Sequence, residues 1–232
     1  LMNFNDTLDD VFTLAHEMGH SMHTLLSHQR QPFIYSSYTI FVAEVPSTPS
    51  EALLLEQMLA QSTDPLERVV LLQHAIDSIT STFYTQVMFA DSELQAHRLI
   101  EQGRPMTADV LDVLYLECFN AYYGDAVDTH PLTRLTWARI PHFFNSPYYV
   151  YQYATCFASA AKLVREITEG SEASKSEARS RYLELLASGG SDYPMEQLRR
   201  AGVDLSEPST VRAVVDQLDT LVSRLEAELA GN

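Results

Sequence analysis

Two histidines four residues apart, in the run His16-Glu17-Met18-Gly19-His20, constrain this chain more than any other feature. On an α-helix they share one face, with about 6 Å of axial rise between them, so both imidazoles can meet one ion. The stretch is therefore predicted to be helical. Glu17 follows the first histidine and can reach a water on that ion without ligating it, as a general base does. Leu14, Ala15, Met18 and Gly19 are uncharged, which suits a helix lying inside a site.

A catalytic zinc centre normally takes three protein ligands. The extended pattern H-E-x-x-H-x-x-G-x-x-H fails here, because His23 stands where its glycine belongs and Leu26 where its last histidine belongs. His23 shares the His16/His20 face, but three histidines over two turns span too much rise to converge; it reads as a packed or supporting residue. A carboxylate from a second helix is the better source. Glu44 lies 24 residues after His20, and an antiparallel return through the Pro32 turn brings it back beside the motif. Its neighbours Ile40, Phe41, Val42, Ala43 and Val45 are apolar, and a carboxylate among them needs a charged partner. Glu51 and Glu56 compete for the role. Glu51, two turns on, is also placed to support a ligating histidine.

The 232 residues, 46% of them hydrophobic, can bury a sizeable core. A net charge of −16 leaves nothing to neutralise phosphates, so no nucleic-acid partner is expected. Cys118 and Cys156 sit in apolar stretches and read as free thiols of a reducing, cytoplasmic protein. No apolar run approaches the roughly 20 residues that span a bilayer, and no signal peptide opens the chain, so no membrane association is expected. The motif comes so early that an N-terminal portion is expected to be absent.

The pattern along the chain is mostly α, with at most a short strand or two. Residues 1–5 alternate and could form one. Asp6 or Thr7 caps a helix to about Ser27, with Asp9 and Asp10 in its first turn. A second helix covers about Tyr38–Gln61, interrupted near Pro46 and Pro49, and a long one runs from Pro65 to about Gln102. Thr107 caps another to about Tyr123, Gly124–Pro147 is irregular, and helices at about Tyr148–Gly170, Ser174–Ala187, Pro194–Ala201 and Pro208–Ala230 complete the chain. No repeat or linker divides it, so residues 1–232 read as one multi-helix domain. Tyr148, Tyr149, Tyr151 and Tyr153 cannot all face one way on a helix, so beyond core packing some of them line a polar cavity or the surface.

The segments A-H-E-M-G-H-S-M-H, I-F-V-A-E-V-P-S-T-P-S-E and Y-Y-V-Y-Q-Y-A-T together resemble the C-terminal catalytic part of oligoendopeptidase F. That is a branch of the thimet-oligopeptidase-like zinc metallopeptidases, and the resemblance extends from Asn3 to about Leu205. It implies a helical zincin-type domain with the active site deep in a channel between two halves, one Zn2+ per chain, and cleavage of short peptides. Carried over by position, His16, His20 and Glu44 hold the zinc and Glu17 is the catalytic base. His142 and tyrosines of the 148–151 run, Tyr148 and Tyr151 foremost, contact substrate and the tetrahedral intermediate. More than half of such an enzyme is missing, so its N-terminal portion is an implied partner. Two rival readings stand beside this one. A dipeptidyl carboxypeptidase of the angiotensin-converting-enzyme kind has a glutamate at the same 24-residue offset but an aspartate four residues later, where Thr48 stands here. The other is an inert fragment that keeps a metal site or binds peptides.

Overall fold

The computed structural model describes residues 2–231. Its first helix, α1 (Leu8–Arg30), starts at Thr7, whose hydroxyl accepts from the Asp10 amide while the Asp10 carboxylate accepts from the Thr7 amide. This capping box satisfies two amides left over at the helix end. The helix runs to Arg30, three residues beyond Ser27, and stops before Pro32. The strand expected over residues 1–5 is not formed at 2–5, where Asn5 instead donates to Asp10, and Leu1 lies outside the described residues. No strand occurs among the described residues.

The interruption expected near Pro46 splits the next segment into α2 (Ile40–Ala43) and α3 (Ser47–Gln61), with Pro49 tolerated in the first turn of α3. The helix expected from Pro65 to about Gln102 is continuous but changes register. It comprises α4 (Pro65–Ile79), a π-helical turn at Thr80–Tyr84, and α5 (Thr85–Glu101). The Thr85 hydroxyl donates to the Thr80 carbonyl (2.9 Å), a hydrogen bond that suits the wider turn. There follow α6 (Ala108–Tyr123), a 3₁₀ stretch at Thr133–Arg139, α7 (His142–Asn145), α8 (Tyr151–Thr168), α9 (Glu172–Leu186), α10 (Pro194–Arg200) and α11 (Pro208–Ala230).

The fold has two compact units. One comprises the chain up to Ile79 and from Thr155 onward; the other is Thr80–Ala154. In the first unit α1 packs on α3 and α4 on α11. A buried cluster including Val42, Val45, Cys156, Leu163, Leu185 and Leu198 lies under the α2–α3 turn. The Cys156 thiol donates to the Phe41 carbonyl (3.2 Å) and the Tyr182 hydroxyl to the Pro46 carbonyl (3.3 Å). The turn that carries Glu44 is thus tied down on both sides. In the second unit α5 and α6 pack together around Met88, Phe89, Leu114, Tyr115 and Cys118. Both cysteines are free and buried, and no helix among the described residues is long and apolar enough to cross a membrane.

Candidate metal centre

Val42 and Val45 are buried in the first unit's core, which turns the Glu44 carboxylate away from it and toward α1. Its Oε2 lies 3.1 Å from Nε2 of His16 and 3.4 Å from Nε2 of His20, and the two Nε2 atoms are 3.1 Å apart. Three donor atoms from two elements thus form a small triangle. An ion about 2.0 Å from each atom, with tetrahedral angles, requires edges of about 3.3 Å. The residues present fit a zinc ion.

The surrounding groups hold this arrangement. The Ser47 hydroxyl donates to Glu44 Oε2 (2.8 Å). Nδ1 of His16 lies 2.6 Å from Glu51 Oε1, so Nδ1–H donates to Glu51 and Nε2, once it gives up its own proton, is the nitrogen that faces the triangle. Gly19, between the two histidines, makes the close approach of α1 possible. A Cβ there would lie 2.7 Å from both the Pro46 carbonyl oxygen and the Ser47 Cα. Any side chain at this position would push the Glu44 turn off the histidines.

The electrostatics are those of a cation trap. Burial disfavours a charged His16, yet hydrogen bonds and charge from Glu44 and Glu51 outweigh it and raise its pKa to about 10. Hydrogen bonds from His16 and then His20 hold the Glu44 carboxyl well below the usual carboxylate range, against the opposing effect of burial. Metal-free, the site keeps a proton where two carboxylates meet an imidazole. A divalent cation satisfies the same groups with more charge.

The other expected residues fall in two places. Glu17 is exposed on α1 next to His16. His23 is 2% exposed and stacks on the Tyr38 ring (centroids 3.5 Å apart), which makes it a packed histidine outside the triangle. Glu56 pairs with Arg224 at 2.7 Å and takes no part.

His142, Tyr148 and Tyr151 belong to the second unit. There His142 stacks on Tyr149 (4.9 Å) and meets the Tyr153 ring edge-on, with the Tyr153 hydroxyl 3.4 Å from its Nε2. His142 is thus brought to Tyr149 and Tyr153, not to Tyr148 and Tyr151. Tyr148 has φ +59°, a left-handed conformation that is costly for a bulky side chain. Its amide donates to Glu93 Oε1 (2.8 Å), and its ring leans on His97 at 4.5 Å. Glu93 and His97, one turn apart on α5, hold this backbone. In the sequence His97 reads as a surface or satisfied core histidine, and only its i, i+4 spacing links it to Glu93.

A helix-borne H-E-x-x-H with a glutamate from a second element beside it forms a two-histidine, one-carboxylate group that could hold a metal ion. Comparison with known proteins places the chain more closely. Residues 1–215 match the model for peptidase family M3, and the chain belongs to that family. It is 42% identical over 226 residues to an oligoendopeptidase F homolog of Lactococcus lactis subsp. lactis, spanning 97% of this chain and 37% of that protein. It is 37% identical to oligopeptidase PepF of Bacillus subtilis, covering 97% of this chain and 33% of the relative. Among solved structures, oligoendopeptidase-F from Enterococcus faecium matches with a TM-score of 0.83 at 35% identity, over 97% of this chain and 40% of that one. The chain therefore spans little more than a third of the length of these relatives.

Proposed function

We propose that this chain is the metal-bearing portion of a zinc-dependent metallo-oligopeptidase that hydrolyses short peptides. The observation that carries this reading is the triangle of His16 Nε2, His20 Nε2 and Glu44 Oε2, with edges of 3.1–3.4 Å. Membership of peptidase family M3 and similarity to oligoendopeptidase F support the substrate class. Two free, buried cysteines are consistent with a cytoplasmic setting.

In this scheme His16, His20 and Glu44 hold the zinc, and Glu51 orients His16 through Nδ1. A bound zinc ion supplies Lewis-acid polarisation of the scissile carbonyl and acidifies an attacking water. Glu17 accepts a proton from that water at its carboxylate and returns it to the departing amine. His142, Tyr148 and Tyr151 bind the peptide, and a tyrosine hydroxyl, that of Tyr151 first, donates to the developing oxyanion, a contribution of about 3 kcal/mol per donor. The sequence that the relatives carry beyond the matched region supplies the remaining wall of the peptide channel.

Zinc analysis combined with cleavage of a quenched fluorogenic peptide tests the reading. One zinc per chain is expected in both the wild type and Glu17→Gln, with cleavage lost only in the variant. Zinc binding without any Glu17-dependent cleavage overturns the assignment of activity to this portion.

A further inference from the structure

In the second unit, α5, α6, the Thr133–Arg139 stretch and α7 surround a cavity of about 240 Å³. Its walls are aromatic and aliphatic, with Tyr115, Trp137 and Phe143 prominent, and its rim exposes Ile100 (55%) and Phe144 (59%). Most of its polar groups are already committed. Trp137 Nε1 donates to Asp112 (2.8 Å), the Ser92 hydroxyl donates to the Phe89 carbonyl (2.8 Å), and the His97 ring leans on Tyr148 (4.5 Å). Glu93 differs. It is 7% exposed and lines the cavity, and its Oε1 takes the Tyr148 amide proton. A carboxylate has room for about four such bonds, so acceptor capacity remains. No lysine or arginine lines the cavity.

We propose that this cavity is a binding site for a primary ammonium group carried on an aryl stem. The ammonium donates to Glu93, and the ring packs among Trp137, Tyr115 and Phe143. An apolar pocket with one fixed polar group is the usual form of a small-ligand site, and a buried carboxylate selects a cation over its neutral isostere. A free arylalkylamine and the N-terminal aromatic residue of a peptide share this chemistry. Only the second source rests on the peptidase reading above.

Trp137 is the only tryptophan of the chain and lines the cavity, so its fluorescence reports occupancy without any catalytic turnover. The test is titration of the metal-free full chain with phenethylammonium, with phenylalanyl-glycinamide, and with neutral 2-phenylethanol. Saturable changes are expected with phenethylammonium, and a dipeptide amide that binds as well identifies a peptide N-terminus as a source. The alcohol is expected to bind at least about tenfold more weakly, as is phenethylammonium to Glu93→Gln, whose amide oxygen still accepts from Tyr148. Equal affinity for alcohol and amine, or no saturable change with either amine, overturns the proposal. The alcohol comparison uses the wild-type chain, so it stands even if the variant folds poorly. Loss of peptide cleavage alone leaves this result untouched.

Discussion

Nδ1 of His16 lies 2.6 Å from Oε1 of Glu51, two turns along from Glu44, so one acidic face of the α2–α3 segment meets both nitrogens of a single imidazole. Glu44 faces Nε2 and Glu51 faces Nδ1. A histidine held at both ends cannot rotate out of the site, and its basicity is raised.

Replacing Glu51 with leucine is therefore expected to weaken zinc binding by about 10- to 100-fold, read by competition against a chromophoric chelator. Glu51→Gln keeps an acceptor for Nδ1–H and should lose less. Unchanged affinity in the leucine variant would remove Glu51 from the scheme.

Gly19→Ala tests the packing that brings the two halves of the site together. In an ordinary helix interior this change stabilises by up to about 1 kcal/mol. Here the new methyl meets backbone atoms at 2.7 Å, which cannot rotate away. Overpacking should reverse the sign, to a loss of about 1–3 kcal/mol in denaturant unfolding, and zinc affinity should fall with it. A more stable variant with full zinc affinity would contradict the assigned contact.

His23 makes stability depend on pH. Burial, then the nearby His20 charge, lowers its pKa from 6.5 to about 4, and its Nδ1 has no hydrogen-bond partner among the described residues. Between pH 6.5 and 4 the unfolded chain binds a proton there that the folded chain does not, so stability falls on acidification across that window, by roughly 3 kcal/mol in total. His16 does not contribute, since its raised folded value leaves it protonated in both states below 6.5. Glu44 enters only below its unfolded value near 4.5. Chemical unfolding of the metal-free protein from pH 6 to 4.5, where unfolded His16 is also largely protonated, should show this slope, and His23→Phe, which keeps the ring against Tyr38, should flatten it. Identical slopes for both proteins would refute the assignment.

The grouping of the candidate residues is legible in the sequence because helical periodicity fixes His16 beside His20, and a proline-marked return brings Glu44 and Glu51 back along one face. Helix ends marked by Thr7, Thr107, Pro65, Pro194 and Pro208 are legible for the same reason: caps and prolines act locally. The rest depends on contacts distant in sequence. Gly19 looks like any small helix residue until the Pro46 and Ser47 backbone is placed against it. The π turn at Thr80–Tyr84 shifts hydrogen-bond register within a segment whose pattern remains helical. The left-handed backbone at Tyr148 is met by Glu93, a residue of α5 that lies 55 positions earlier in the chain. The boundary between the two compact units falls inside continuous helices, where composition does not change.

The central claim is that His16, His20 and Glu44 together hold one zinc ion, and an anomalous difference map at the zinc absorption edge, from crystals of the zinc-loaded chain, tests it most directly. One peak is expected about 2.0–2.2 Å from Nε2 of His16, Nε2 of His20 and a carboxylate oxygen of Glu44. A peak at any other set of residues, or none at these three with zinc present in equal amount, would contradict it.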